Sequence, residues 1–279
     1  MGRTTKKTRV LFISQAISPY LEASEISKLA RKLPQGIQER GREIRTFMPR
    51  FGVINERRNQ LHEVIRLSGM NLIINDTDHP LIIKVGSIQA ARMQVYFIDN
   101  EEYFQRKFVF NDKKGKFFDD NDERAIFFAR GVIETVKKLG WSPDIIHCHG
   151  WMSSLVPLYV KTAFKDDALF KNSKVIYSAY NDGFEDNFKD DFSKKAMMEG
   201  VTAAHVKEMK NADYTGMVKL AVSKSDAVIQ GSEELDSNIA KYITKQGNHF
   251  LGYQDPDNYL DAYNEFYDQV LQNDPVLAD

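Results

Sequence analysis

The stretch that decides the fold runs from residue 140 to residue 151 and reads Gly-Trp-Ser-Pro-Asp-Ile-Ile-His-Cys-His-Gly-Trp. Its centre, residues 144–148, is a short apolar run of the kind that forms a buried parallel strand. Residues 121–139, which precede it, carry apolar side chains at helical spacing. A helix that leads into a buried strand is one unit of an alternating α/β sheet, and such sheets bind ligands at the carboxyl ends of their strands. Any chemistry is therefore expected at the end of this strand.

Two histidines and a tryptophan stand at alternate positions there: His147, His149 and Trp151. Alternate residues of a strand point to the same face, so these side chains can meet at the mouth of the sheet. Imidazoles beside an apolar indole platform suit a sugar-binding site. In a second interpretation, His147 caps the strand end and Trp151 packs against the following helix. The spacing alone does not separate the two.

The alternation of strands and helices extends in both directions. Further strands are predicted at 9–14, 43–48, 174–178 and 227–231, and further helices at 26–40, 151–164, 192–209, 213–223, 233–244 and 259–271. Three short runs between residues 63 and 98 indicate antiparallel hairpins. The pattern predicts a doubly wound, mainly parallel α/β sheet with an antiparallel excursion and a C-terminal helix. The expected units are a basic tail (1–8), one domain (9–250) and a helical extension (251–279) whose aromatic residues pack back on that domain.

Composition excludes several classes of partner. The 38 basic and 39 acidic residues leave a formal charge of −1, so no overall field attracts nucleic acid. No apolar run is long enough to span a membrane. The single cysteine, Cys148, excludes a disulfide framework and is expected to be a buried small hydrophobe, which fits a cytoplasmic protein. Glycine-rich phosphate loops, a serine nucleophile elbow and metal-ligand spacings are absent from the sequence, so neither a cofactor nor a metal is expected.

At specific residues the chain resembles the N-terminal half of bacterial glycogen synthases and plant starch synthases. The resemblance is carried by residues 10–14, 41–45, 48–51 and 122–134, is strongest at 143–151, and continues more loosely through 175–181 and 225–239. It implies a Rossmann-like domain that is one half of a two-domain glycosyltransferase-B architecture. Members of that family transfer glucose from ADP-glucose to an α-1,4-glucan in a cleft between two halves.

The chain departs from the family at the groups that handle the nucleotide sugar. Where the family has a Lys-x-Gly-Gly turn for the phosphates, this chain has Glu22, Ala23, Ser24 and Glu25. Two carboxylates repel phosphate, and side chains obstruct approach to the backbone. The aspartate of the family's His-x-His-Asp-Trp motif is Gly150 here. The family's Thr-Val-His-Asn motif reads Ser-Ala-Tyr-Asn at residues 178–181, so its histidine is replaced by Tyr180 and its asparagine is kept as Asn181.

These departures predict a pseudoenzyme, with no catalytic residue assigned and no activity on its own. The expected function is a glycan- or metabolite-binding or regulatory module, with a cleft formed by His147, His149, Trp151, Tyr180 and Asn181. The alternative is an ADP- or UDP-glucose-dependent α-1,4-glucan glucosyltransferase completed in trans by a second chain. The expected partners are accordingly an α-glucan or another polar metabolite, a second copy of the chain, or a second glycosyltransferase half. The acidic first loop favours the non-enzymatic interpretation.

Overall fold

A computed structural model describes residues 7–272, so most of the expected basic tail and residues 273–279 lie outside the described part. The strands are β1 Arg9–Ser14, β2 Glu43–Pro49, β3 His62–Glu63, β4 Met70–Ile74, β5 Thr77–Ile88, β6 Met93–Asp99, β7 Ile145–His149, β8 Lys174–Ala179, β9 Ala227–Gln230 and β10 His249–Leu251. The α-helices are α1 Glu25–Glu39, α2 Glu101–Phe104, α3 Asn121–Leu139, α4 Leu155–Lys161, α5 Phe192–Lys195, α6 Tyr214–Ser223, α7 Ser237–Gln246 and α8 Tyr259–Gln272.

The strands form one sheet in the order β10-β9-β8-β7-β1-β2-β6-β5-β3, with β4 paired to β5. The run from β10 to β6 is parallel throughout. Strand β5 is antiparallel to β6, and β3 and β4 are antiparallel to β5. The predicted fold, a mainly parallel α/β sheet with an antiparallel excursion and a C-terminal helix, is confirmed.

Helices cover both faces of the sheet because its central strands are apolar on both sides. On one face, Ile146 and Cys148 of β7 join a core cluster with α3, α4 and α6. On the other face, Ile145 joins a second cluster with residues of α1 and α8. The two histidines of β7 alternate with Ile146 and Cys148, and therefore point toward α8.

Two predicted helices differ from the structure. The helix expected over 192–209 is broken into α5 and a 3₁₀ turn, Ala203–Lys210. Gly200 lies between them with a φ of +84°, a left-handed conformation that does not continue a helix. The helix expected from residue 151 begins as a 3₁₀ turn, Trp151–Ser153, and α4 follows at Leu155.

A buried ion pair fixes the segment that follows β8. The Nζ of Lys195 lies 2.7 Å from a carboxylate oxygen of Asp122, 3.0 Å from one of Glu123 and 3.2 Å from one of Asp191. Burial opposes the charge of Lys195, but its hydrogen bonds to Asp122 and Glu123 outweigh that effect and raise its pKa. The loop from residue 180 to 191 is thereby anchored to α3.

Candidate functional site

A cleft of about 760 Å³ opens at the carboxyl ends of β1 and β8. Its walls come from four parts of the chain: Gln15 and Ala16 after β1, residues 20–22 and 24–26 around the start of α1, residues 107–110 together with Val53, and residues 180–182 after β8. This is the edge of a parallel sheet where ligands are expected. The predicted residues Glu22, Ser24, Glu25, Tyr180 and Asn181 line it.

The charge of the cleft is mainly negative. Its charged lining residues are Glu22, Glu25, Asp182 and Lys107. Three carboxylates against one ammonium group disfavour a ligand with several negative charges.

Side chains at the N-terminus of α1, at the edge of this cleft, bond two of the helix's first four amides. The Oγ of Ser24 accepts from the backbone N–H of Ser27 at 3.1 Å, and the Oγ of Ser27 accepts from the N–H of Ser24 at 2.7 Å. This reciprocal capping box occupies amides that could otherwise bind an anion. Glu25 adds a carboxylate in the first turn, where the helix dipole favours negative charge. One of its oxygens accepts from the Oγ of Ser232 at 2.5 Å.

His147 lies in the interior rather than in the cleft. Its Nδ1 is 2.6 Å from the hydroxyl of Tyr267 on α8, and its Nε2 is 2.8 Å from the Oγ of Ser178 on β8. Burial and the neighbouring His149 hold the pKa of His147 well below its usual value. The imidazole is therefore neutral and joins the last helix to the sheet.

His149 is also fully buried. Its Nδ1 is 2.8 Å from the hydroxyl of Tyr180. Its Nε2 has no hydrogen-bond partner among residues 7–272. Burial lowers the pKa of His149 to about 3, so this ring is neutral as well. The structure thus brings His147, His149 and Tyr180 together, with both histidines beneath the surface of the cleft.

Trp151 packs inside the domain and is only 1% exposed. Its ring centroid lies 4.9 Å from that of Phe110 and 5.2 Å from that of Phe184. The indole therefore offers the cleft no open face, and its aromatic contacts are with these loop residues rather than with the following helix.

The apolar surface of the cleft comes from residues that the sequence analysis missed. Phe108 is 42% exposed and Val53 is 44% exposed, and both line the cleft. The backbone at Arg106, two residues before Phe108, packs against Gly52. A Cβ atom at Gly52 would lie 2.2 Å from the carbonyl oxygen of Arg106. Phe108 lies in an irregular loop, where hydrophobic periodicity gives no signal.

A carboxylate that the sequence analysis also missed, Asp182, stands at the end of the cleft. Its Oδ2 accepts from the Nε2 of Gln15 at 3.1 Å and from the backbone N–H of Trp151 at 3.2 Å. Its Oδ1 accepts from the hydroxyl of Tyr214 at 2.7 Å. Burial raises the pKa of Asp182 despite these bonds. Asp182 thus places a buried carboxylate next to the turn that contains Gly150.

Helix α8 leaves the cleft open. Tyr259 and Tyr263 of this helix line a smaller cavity of about 310 Å³, which shares Glu25 with the cleft.

In the range 7–272, no three His, Cys, Asp or Glu side chains are grouped so as to hold a metal ion. The same range contains no helix with the length and apolarity needed to cross a membrane.

The family follows from comparison with known sequences. A family model described as "Starch synthase catalytic domain" matches residues 9–251. The chain belongs to this family.

Relatives within the starch synthase catalytic domain family include bacterial glycogen synthases. The glycogen synthase of Chlorobium luteolum is 34% identical over 234 residues, which are 83% of this chain and 48% of that protein. The glycogen synthase of Chlorobaculum tepidum is 40% identical over 174 residues, or 62% of this chain and 36% of that protein. The chain therefore spans about half the length, or less, of these relatives, and the predicted resemblance is confirmed.

A solved structure shows the same fold. The catalytic domain of starch synthase IV from Arabidopsis thaliana, bound to ADP and acarbose, superposes with a TM-score of 0.73 at 16% identity. The match covers 90% of this chain and 52% of that chain.

Proposed function

We propose that the cleft binds an uncharged sugar chain, such as an α-glucan, and that the chain acts as a binding or regulatory module of the starch synthase catalytic domain family rather than as a glucosyltransferase. The observation that carries this proposal is the contrast between the cleft walls. An exposed aromatic residue, Phe108, lines the cleft together with polar groups, and Glu22 and Glu25 line it at the turn where the family resemblance implies that phosphates would bind.

The two walls match the two kinds of surface on a sugar. The apolar face of a pyranose ring can pack on Phe108 and Val53, which are exposed in the cleft. The ring's hydroxyl groups can exchange hydrogen bonds with Asn181, which also lines the cleft. Pockets that combine apolar walls with a few placed polar groups are typical small-molecule sites.

The first turn of α1 argues against a nucleoside diphosphate. Helix N-termini bind phosphates through free amides and a positive dipole end. Here the capping box of Ser24 and Ser27 occupies amides, and Glu25 places a negative charge in the first turn. Two like charges 4 Å apart repel by about 1 kcal/mol in water and about 4 kcal/mol near a protein surface. A diphosphate beside Glu22 and Glu25 meets this repulsion at both carboxylates.

Calorimetric titration with maltoheptaose tests the binding proposal. We expect saturable binding by the wild-type chain and a loss of tenfold or more in affinity for Phe108→Ala, which corresponds to about 1.4 kcal/mol. Phe250→Ala is the matched control, because Phe250 is similarly exposed, at 49%, on the edge strand β10. No binding by the wild type, or equal losses in the two variants, would overturn the proposal.

A transfer assay tests separately whether the chain lacks glucosyltransferase activity. With labelled ADP-glucose or UDP-glucose and maltoheptaose as acceptor, we expect no elongated product from this chain alone. Elongated product whose formation is lost in His149→Gln would instead support a glucosyltransferase.

A further inference from the structure

We propose that Tyr180 determines the depth of the cleft, by closing a subsite for a single sugar ring above His149. The wild-type cleft then accepts a sugar chain that lies along it and excludes a terminal ring that enters the mouth of the sheet. This inference rests on the proposed glycan binding and adds the residue that restricts it.

Tyr180 separates His149 from the cleft. It lines the cleft, yet its side chain packs inward so that the residue is only 1% exposed. Its hydroxyl ends 2.8 Å from Nδ1 of His149. The ring lies against Gly231 at the end of β9, where a Cβ atom would come within 2.5 Å of Tyr180 Cε1. The absence of a side chain at position 231 therefore makes room for this closed position.

The backbone around Tyr180 is held independently of its ring. The carbonyl of Tyr180 accepts from the hydroxyl of Tyr214 at 2.7 Å. The next amide, of Asn181, donates to the Oγ of Ser232 at 2.9 Å, and that hydroxyl donates to Glu25. A shorter side chain at position 180 should therefore leave open space rather than a displaced loop.

His149 is the polar group that such space would expose. The fold uses only its Nδ1, since Nε2 has no partner in the described part of the chain. Buried polar atoms without partners are uncommon, and they call for an explanation. Removing the phenol ring frees Nδ1 of His149 to bond a ligand hydroxyl.

Titration with methyl α-D-glucopyranoside, a single-ring probe, tests the proposal. We expect no saturable binding by the wild type or by Tyr180→Phe, which keeps the ring and loses only the hydroxyl. Tyr180→Ala should bind the probe at least tenfold more tightly than the wild type does, and the added substitution His149→Gln should remove that gain. An equal response of Tyr180→Ala and wild type, a matching gain in Tyr180→Phe, or a gain that survives His149→Gln would overturn the proposal.

A second variant covers a failure of Tyr180→Ala to fold, as judged by circular dichroism. Tyr180→Ser likewise removes the whole ring and cannot reach His149, and it should show the same gain for the probe. Maltoheptaose is titrated in parallel. Its failure to bind the wild type counts against the proposed function, whereas the response of the position-180 variants to the single-ring probe tests the role of Tyr180 itself.

Discussion

Gln15 fills the space beside Gly150: a Cβ atom at Gly150 would lie 2.5 Å from the Cδ of Gln15. The Oε1 of Gln15 also accepts from the backbone N–H of Met152 at 3.1 Å, and its Nε2 donates to Asp182. One side chain therefore holds the turn after β7 and the carboxylate at the end of the cleft.

Gly150→Ala should destabilise the fold by about 2–4 kcal/mol, because it adds a steric clash to a strained backbone. The φ of Gly150 is +80°. Gly41→Ala is the matched control, since Gly41 has a φ of +91° with no atom within 4 Å of a Cβ. Urea unfolding should show a larger loss for Gly150→Ala than for Gly41→Ala, and Gln15→Ala should recover part of that difference. Equal losses at the two glycines would argue against the clash.

Lys195→Met should destabilise the protein by about 3–5 kcal/mol, because it leaves Asp122 buried without a counter-ion. Both side chains are almost fully buried, at 2% and 0% exposure. The second substitution Asp122→Asn should recover part of the loss. Lys194→Met, at an exposed neighbour, should change the free energy of unfolding by no more than about 0.5 kcal/mol. Similar effects of the two lysine substitutions would contradict a buried ion pair.

Acid should destabilise the fold through His149. Burial lowers its pKa to about 3 in the folded state, against about 6.5 in an unfolded chain. Between these values the unfolded state binds more protons, so the free energy of unfolding falls as the pH drops from about 6.5 toward 3, by up to about 1.4 kcal/mol per pH unit.

Urea unfolding at pH 7 and pH 5 measures the contribution of His149 to the free energy of unfolding. From pH 7 to pH 5 the wild type should lose about 2 kcal/mol more than His149→Gln does. His62→Gln, at an exposed histidine, should keep the wild-type pH dependence. The same pH dependence in the wild type and in His149→Gln would show that His149 is not a buried neutral histidine.

The sequence predicted the sheet well because its information is local. The helix over 121–139 and the strand 9–14 carry their periodicity in consecutive residues, and both have the predicted bounds. Whether the side chains of the site residues are buried or exposed could not be predicted in the same way. The hydroxyl that contacts Nδ1 of His147 comes from Tyr267, 120 residues away, and no spacing near the strand reveals it.

The contacts around the turn after β7 were also beyond sequence reasoning. Asp182, which follows the end of another strand, accepts from the backbone N–H of Trp151, and Gln15 bonds the turn from 137 residues away. The exposed aromatic surface was expected at Trp151, whereas Phe108 provides it from a loop. Parallel sheets bring such segments together only after folding, because each crossover places distant residues at one edge.

Neutralising the acidic turn should open the cleft to phosphates. Glu22→Gln with Glu25→Gln removes two negative charges and should raise the affinity for ADP by tenfold or more, with little change for maltoheptaose. Glu63→Gln with Glu101→Gln is the control, because these exposed glutamates do not line the cleft. An affinity for ADP that is the same in the wild type and in both double variants would show that the turn does not exclude phosphates.

Titration of the wild-type chain with maltoheptaose and with ADP-glucose, under the same conditions, compares the two ligand classes directly. We expect saturable heat with maltoheptaose and none with ADP-glucose, because the cleft offers Phe108 and Asn181 to a sugar and Glu22 and Glu25 to a diphosphate. Saturable binding of ADP-glucose, with or without binding of maltoheptaose, would contradict the exclusion of nucleotide sugars from this cleft.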